Sequence, residues 1–402
     1  MAPDASHALA VREKVQHFLN AARTGNLDLL KKIAAQLDDG KGMSKTVVDI
    51  KDANKRGALH FAAREGKTEV CKYLLEELKL DVDTKDEEGE TPLLHAARQG
   101  HTDTCKYLIE HGANPTIPSD IGATALHHSA GTGNIELIKY LLSKGVDINL
   151  QSDAGTPLIW AAGHGEQEAV KVLLEQHANP NSETEDGVTP LLSAVAAGSM
   201  ACVELLVQAG AKVNAIAGGA TPLHIAADHG SPDILNCLLN AGADPNVADD
   251  YDQTPIQVAA GRGHRAAVEI LYPLTSKVQS IPEWTVDGII NYMQSENNKE
   301  EELRNQKESN VPKDTTLSRQ DLPEVSPEAK KRAAEAKARG NDAFNRKDYY
   351  MAVDAYTQRF DEAANAFYEG VTLDPENKEL VNAFREAVDA GRKFHGTDKQ
   401  KS

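Results

Sequence analysis

The residues best suited to chemistry in this chain are its 14 histidines, its four cysteines and two short Gly-x-Gly stretches. Three histidines, His60, His127 and His224, each stand three residues after a Gly or Thr in a recurring phrase. An imidazole at such a position can ligate a metal, act as a general base or hold a backbone turn. Spacing alone does not pair any histidine with a carboxylate, so all three roles remain open at this point.

The two Gly-x-Gly stretches, Gly131-x-Gly133 and Gly261-x-Gly263, look like phosphate-binding loops only when taken alone. A phosphate-binding loop of this kind follows a strand, and neither stretch follows a predicted one. No HExxH, GxSxG or Walker phrase occurs in the sequence. We therefore predict that the chain is not an enzyme, has no catalytic residues and uses no cofactor.

The cysteines form no CxxC pair, so we predict no metal-binding residues. They are Cys71, Cys105, Cys202 and Cys237. Cys71 and Cys105 occupy the same position in two successive copies of the recurring phrase, so we expect them on neighbouring stacked helices. Such helices lie roughly 8–10 Å apart. A disulfide needs Cα atoms closer than about 7 Å, so we expect all four thiols to be reduced.

Acidic residues outnumber basic ones by 61 to 43, which gives a net charge of −18. That charge argues against nucleic acid or an anionic membrane as the main partner, because both are polyanions. The N-terminus shows no apolar signal region, and no apolar run approaches the ~18 residues that span a membrane. We expect a cytoplasmic or nuclear monomer that binds other proteins.

Self-similarity is the strongest feature of the sequence, because one phrase recurs every 32 to 34 residues. A glycine follows each start by nine residues, and a leucine follows it by 17 residues. The seven starts are Gly57, Thr91, Thr124, Thr156, Thr189, Thr221 and Thr254. Three fixed offsets in seven copies indicate a stack of repeated structural units.

The copy that begins at Thr91 shows why each unit folds as two helices. Thr91 can cap the first helix, and Pro92 fits its first turn, where a missing N–H costs nothing. Gly100 allows a sharp turn with positive φ. The second helix then places Cys105 and Leu108 on one apolar face at helical spacing.

These phrases resemble the ankyrin repeat, and Thr221-Pro222-Leu223-His224 matches its signature. The resemblance covers residues 14–280 and implies an all-α solenoid of helix-turn-helix repeats with short β-hairpin loops. It also implies that the repeated histidine holds a backbone turn. Residues 18–39 resemble a degenerate N-terminal unit, and residues 1–13 are expected to be flexible. Trp160 stands where other copies have Phe61 or Ile225, so it is expected to pack in the core.

Residues 281–294 are predicted to form a short capping helix. Trp284, Ile289, Ile290 and Met293 supply its apolar positions. We interpret this helix as a lid over the last repeat, with a partner-docking helix as the alternative.

Ankyrin repeats bind partners through the loop tips and the concave face of their first helices, so the tips are the predicted binding site. The tips carry a row of acidic residues and one aromatic residue. They are Asp86, Glu87, Glu88, Asp120, Asp153, Glu185, Asp186, Asp250, Tyr251 and Asp252. This row predicts a groove for a basic or polar protein segment, although loop tips also tolerate charge simply because they are solvated.

Residues 295–326 are highly charged and lack aromatic residues, which predicts a disordered linker. Residues 327–396 then resemble a tetratricopeptide (TPR) domain of the carboxylate-clamp type, on the phrase Lys337-x-x-Gly340-Asn341-x-x-Phe344. Such domains belong to co-chaperones that grip the acidic EEVD tail of heat-shock chaperones. The resemblance gives Lys337 and Asn341 the role of clamp residues, and the combination resembles plant ankyrin–TPR proteins.

The TPR-like segment departs from its family at the junction of Gln358 and Arg359. Ala352 and Ala363 are 11 residues apart, where matching positions of the first and third repeats should be roughly 68 apart. We therefore predict a shortened segment in which one fused helix replaces the middle of the domain. Since two surviving contacts hold a peptide weakly, we favour a protein-interaction scaffold over a chaperone adaptor as the function.

Overall fold

The computed structural model describes residues 5–38, 40 and 42–296. The TPR-like segment 327–396, with Lys337 and Asn341, lies outside the described residues, as does nearly all of the linker 295–326. The described chain is a stack of paired helices that follows the period of the sequence.

Each pair consists of a first helix, which contacts the first helices of its neighbours, and a second helix, which contacts the neighbouring second helices. The first helices are α1 (Ala5–Thr24), α4 (Ala58–Arg64), α6 (Pro92–Arg98), α8 (Ala125–Gly131), α10 (Pro157–Gly163), α12 (Pro190–Ala196), α14 (Pro222–His229) and α16 (Pro255–Gly261). The second helices are α2 (Leu27–Leu37), α5 (Thr68–Lys72), α7 (Thr102–Glu110), α9 (Ile135–Ser143), α11 (Gln167–Glu175), α13 (Met200–Gln208), α15 (Pro232–Asn240) and α17 (Arg265–Leu271). An extra helix, α3 (Met43–Asp49), follows α2. The pairs from α4–α5 to α16–α17 are numbered repeats 1 to 7.

The repeated threonines cap the first helices, as predicted. The hydroxyl oxygen of Thr156 accepts a hydrogen bond from the N–H of Ile159 at 3.4 Å, and that of Thr189 accepts one from Leu192 at 3.3 Å. A proline follows each of these threonines at the first helical position. Gly100 turns the chain between α6 and α7 of repeat 2 with φ +74°, which confirms the predicted bend.

One continuous apolar core runs through the stack. Ala96 and Ala97 of α6 are fully buried and allow neighbouring first helices to approach closely. Cys105 and Leu108 of α7 are also fully buried and face the same core. All four cysteines are free thiols, and burial raises the pKa of Cys105 to about 12.

Three of the tip loops form a single backbone bridge each, and no described tip forms the short β-hairpin expected from the sequence. Isolated bridges join Lys51 to Gly57, Ser152 to Gly155 and Ala217 to Ala220, and the described residues contain no strand. The turn spans four residues in repeats 4 and 6, from Ser152 to Gly155 and from Ala217 to Ala220, and it spans five residues in the other repeats. Loops this short close one bridge and leave no residues for a ladder.

The second helix of repeat 1 is one residue longer than those of repeats 2 to 6. Its second half is a π-helical turn, Tyr73–Glu77, directly after α5. Repeat 1 also has the 34-residue step from Gly57 to Thr91, one residue more than the usual 33. A π-helical turn takes up one extra residue, so it explains the longer step.

Both ends of the described stack are covered by helices. α1 begins at Ala5, within the segment 1–13 that was expected to be flexible. At the other end, residues 286–296 form a helix, α18, that buries Ile289 and Met293 against the core. The Tyr272 hydroxyl donates to the Trp284 carbonyl at 2.9 Å, which supports the interpretation of a lid. No helix in the described part of the chain is long and apolar enough to cross a membrane.

Candidate protein-binding surface

The tips of the first four repeats are joined by backbone hydrogen bonds. The N–H of Glu87 donates to the carbonyl of Asn54 at 2.9 Å. The N–H of Asp120 donates to Glu88, and that of Asp153 donates to Ile121, both at 3.0 Å. Because each tip is bonded to the next, their spacing is fixed. The tip of each repeat is the loop just before its first helix, and we call the tips of all seven repeats the tip row.

Nine of the ten predicted tip residues are exposed in the structure. They are Glu87, Glu88, Asp120, Asp153, Glu185, Asp186, Asp250, Tyr251 and Asp252. The exception is Asp86, whose carboxylate points inward and is 4% exposed. Lys55 pairs with Glu87 at 3.1 Å, but this contact is open to solvent and contributes little. The tip row therefore presents mainly carboxylates, as the sequence predicts; whether they bind a partner stays a prediction.

Apolar side chains also stand out on the tip row. Tyr251 is 84% exposed, and two residues that the sequence analysis did not single out, Ile121 and Ile216, are 50% and 54% exposed. Each lies in the loop just before a first helix. An apolar residue in a tip loop that is otherwise solvated was the available signal for both isoleucines.

One face of the first helices carries a second set of side chains, buried or half-buried, each four residues after a repeat start. We call it the first-helix column. Its members are Phe61, His95, His128, Trp160, Ser193, Ile225 and Val258. Trp160 is half-buried and not part of the closed core: its Nε1 donates to the Ser152 hydroxyl at 3.2 Å, and its ring meets that of His128 edge-on at 5.3 Å. Burial lowers the pKa of His128 to about 3.

The three repeated histidines hold backbone turns, as the resemblance implies. Nδ1 of His127 accepts from the Thr124 N–H at 3.1 Å, and its Nε2 donates to the carbonyls of Leu150 and Gly155 at 3.1 Å. His60 and His224 make the same kind of contacts. Burial lowers the pKa of His60 and of His127 to about 4, so both are neutral at neutral pH. With both nitrogens used, these histidines are structural.

Asp86 belongs to a buried polar cluster between the tip of repeat 2 and α6. Its Oδ2 lies 2.8 Å from Nε2 of His95, and Oε2 of Glu90 lies 3.6 Å from the same nitrogen. Arg98 pairs with the other oxygen of Glu90. Burial lowers the pKa of His95, while the hydrogen bond that its Nε2 donates to Asp86 opposes that shift. A cavity of about 290 Å³ adjoins the cluster.

The comparisons with known proteins agree with the period and the geometry. The family model described as "Ankyrin repeats (3 copies)" matches residues 18–119, 118–184, 160–249 and 191–281. A solved structure, the human ASB11 ankyrin repeat domain, is similar at 25% identity and a TM-score of 0.51. That similarity covers 56% of this chain and 100% of the human domain. A search of curated proteins finds no match.

Proposed function

Because this chain belongs to the ankyrin-repeat family, we propose that it is a non-enzymatic scaffold that binds a basic segment of a partner protein along the tip row. The repeats indicate protein–protein interaction as the general function. The partner class follows from the charge and the exposed apolar residues of the tips.

The charge of the tip row supports a basic partner. Eight of its nine exposed predicted residues are carboxylates, in a chain of net charge −18. A surface of one sign raises the rate of encounter with an oppositely charged segment and suppresses like-charged partners. These exposed charges add specificity more than affinity.

The observation that carries the proposal is the position of Tyr251. Its ring is 84% exposed and stands between Asp250 and Asp252 at the tip of repeat 7. Tyrosines are frequent anchors of protein interfaces because they bury a large ring and keep a polar end. A large exposed aromatic flanked by carboxylates fits a segment that combines apolar and basic side chains.

Selection of a random peptide library against the chain tests this proposal. Peptides rich in Lys, Arg and apolar residues should be enriched. A tip variant combines Glu87→Gln, Glu88→Gln, Asp250→Asn and Asp252→Asn, and a second variant carries Tyr251→Ala. The selected peptides should bind either variant at least about tenfold more weakly.

The matched control removes the same number of carboxylates from exposed positions on the second helices. It combines Glu168→Gln, Glu175→Gln, Glu204→Gln and Asp233→Asn. Peptide affinity should be unchanged in this control. Equal binding to the wild type, the tip variant and Tyr251→Ala would rule out the tip row as the binding surface.

A second candidate function rests on the sequence of the TPR-like segment alone. Lys337 and Asn341 match the first-repeat positions of a carboxylate clamp, which favours an adaptor that recruits the EEVD tail of a heat-shock chaperone. In that case the ankyrin stack would hold the client. The missing repeat leaves the clamp incomplete, so we place the scaffold function first.

A further inference from the structure

Three aspartates close tip turns in the same way and provide an internal comparison. Asp52, Asp86 and Asp249 each use Oδ1 to accept two backbone N–H groups from their own loop, at 2.8–3.0 Å. The turn therefore needs only one oxygen of each carboxylate. The second oxygen, Oδ2, is available for another role.

The groups that face Oδ2 differ among these turns. Asp52 Oδ2 accepts from Nε of Arg56 at 2.8 Å, an ordinary ion pair. Asp86 Oδ2 instead faces Nε2 of His95 at 2.8 Å, with the Glu90 carboxylate beside it. In repeat 7 the positions of Glu90 and His95 are occupied by Gln253 and Val258. The tip of repeat 2 thus combines three ligand-type groups that turn closure does not require.

Glu90 provides an independent sign that this cluster is incomplete. Its side chain is 3% exposed, and Arg98 pairs with Oε1. The buried Oε2 has no hydrogen-bond partner, although it lies 3.6 Å from Nε2 of His95. A buried carboxylate oxygen without a partner costs free energy unless a proton donor or a cation meets it.

We propose that Asp86 Oδ2, Glu90 Oε2 and His95 Nε2 form a binding site for a transition-metal dication of the Zn²⁺ class. The three atoms lie within 4.8 Å of one another. Ligands at the usual Zn²⁺ distances of about 2.0–2.1 Å in a tetrahedron stand roughly 3.3–3.5 Å apart. The separations of 2.8 and 3.6 Å from His95 Nε2 lie on either side of that value, so small side-chain shifts suffice.

The donor set selects the metal. Imidazole suits Zn²⁺, Co²⁺ and Ni²⁺, whereas Mg²⁺ and Ca²⁺ prefer oxygen ligands alone. Metal binding requires a lone pair on Nε2 of His95, so the ring proton moves to Nδ1. The adjoining cavity of about 290 Å³ has room for water as a further ligand.

The surrounding charges do not prevent cation binding. Three carboxylates line the cavity, Asp86, Glu88 and Glu90, and they balance its three guanidinium groups, Arg56, Arg64 and Arg98. Asp52 also pairs with Arg56. Glu90 would bridge Arg98 and the metal, an arrangement in which the arginine orients the ligand. The bound metal would tie the tip of repeat 2 to α6.

The test is titration of the untagged full-length chain with Zn²⁺ by calorimetry and with Co²⁺ by visible absorption. Three variants each remove one ligand while keeping a residue type suited to the site. Glu90→Gln and His95→Phe introduce the residue types of Gln253 and Phe61, and Asp86→Asn keeps the oxygen that closes the turn. His177→Asn is the control, because it removes an exposed histidine.

We expect one such site per chain, with a Kd that rises at least about tenfold in each ligand variant and is unchanged in His177→Asn. Zn²⁺ should raise the melting temperature of the wild type, and raise that of the three variants less. Circular dichroism would verify that each variant is folded. Absence of Zn²⁺ binding by the wild type, or equal affinity in the folded ligand variants, would overturn the proposal.

Discussion

Nε2 of His224 donates a hydrogen bond to the carbonyl oxygen of Gln253 at 3.0 Å and so joins the first helix of repeat 6 to the tip of repeat 7. Nδ1 of the same ring accepts from the Thr221 N–H at 3.2 Å. One imidazole ring therefore satisfies a buried donor and a carbonyl of the next repeat. The stack is coupled through such side chains as well as through its apolar core.

Replacing His224 should reduce stability according to how many of these bonds are lost. His224→Ala leaves the Thr221 N–H and the Gln253 carbonyl without this partner, which should lower the free energy of unfolding by about 2 kcal/mol. His224→Gln should cost less, because Gln257 accepts the equivalent Thr254 N–H at 3.0 Å in repeat 7. Urea denaturation followed by circular dichroism measures both. Equal midpoints for the wild type and His224→Ala would contradict the structural role.

Stability should fall as the pH is lowered from 7 to about 5. Burial holds the pKa of His60 and of His127 at about 4 and that of His128 at about 3. In the unfolded chain these histidines titrate near 6.5, so the unfolded state binds protons first as the pH falls. Their stabilising contribution is complete above pH ~6.5 and is lost progressively toward the folded pKa values. The loss at pH ~5 should be on the order of 1–2 kcal/mol per histidine.

Urea midpoints at the two pH values measure this loss. His128→Phe is the matched variant, because Phe61 occupies the same position of the first-helix column in repeat 1. The urea midpoint of His128→Phe should fall less between pH 7 and pH 5 than that of the wild type, because the variant lacks the contribution of one buried histidine. A wild-type midpoint that does not change over this range would show that the buried histidines do not control stability.

Two glycines with nearly the same φ should respond differently to alanine. Gly100 has φ +74° and open space where a Cβ would lie, whereas Gly122 has φ +76° and would place a Cβ 3.0 Å from the Cα of Ser152. Gly100→Ala should cost about 1–2 kcal/mol for the left-handed backbone alone. Gly122→Ala should cost roughly 1 kcal/mol more, because the tip of repeat 4 must shift. Thermal denaturation of the two variants measures the difference. Equal losses of stability would mean that the tip of repeat 4 moves away from Gly122 at little cost.

The TPR-like segment should bind an EEVD-ending peptide only weakly. Lys337 and Asn341 lie outside the described residues, so this prediction rests on the sequence. Two exposed contacts supply roughly 0–1 kcal/mol each, too little for micromolar affinity. Fluorescence titration of the full-length chain measures it, with Lys337→Ala as the comparison. Micromolar binding that Lys337→Ala abolishes would favour the chaperone adaptor instead.

The repeat architecture was predictable because local signals agree in copy after copy. Thr156, Pro157 and Gly165 mark a cap, a first turn and a bend within one short phrase, and the structure places them there. Each unit packs only on its neighbours, so no distant pairing had to be guessed. The prediction of β-hairpin tips was wrong, because the tip loops are too short for a bridge to extend into a ladder.

The orientation of individual tip side chains could not be predicted from composition. Asp86 and Glu87 are adjacent acids, yet one closes its own turn beneath the surface and the other is solvated. That difference arises from backbone N–H groups that only the folded loop brings together. The contact of Asp86 with His95 likewise crosses a turn and nine residues of chain, and no repeat-wide pattern marks it.

The π-helical turn Tyr73–Glu77 also bears on how such a chain can vary in length. One added residue widens a single turn of a second helix, while Leu74 and the tip at Asp86 remain in phase with their counterparts. A one-residue insertion in a second helix would therefore widen one helical turn and leave the tip loops in place. We expect natural variants with one inserted residue to carry it in a second helix more often than in a tip loop. In the tips, a turn of four or five residues fixes the backbone hydrogen bonds.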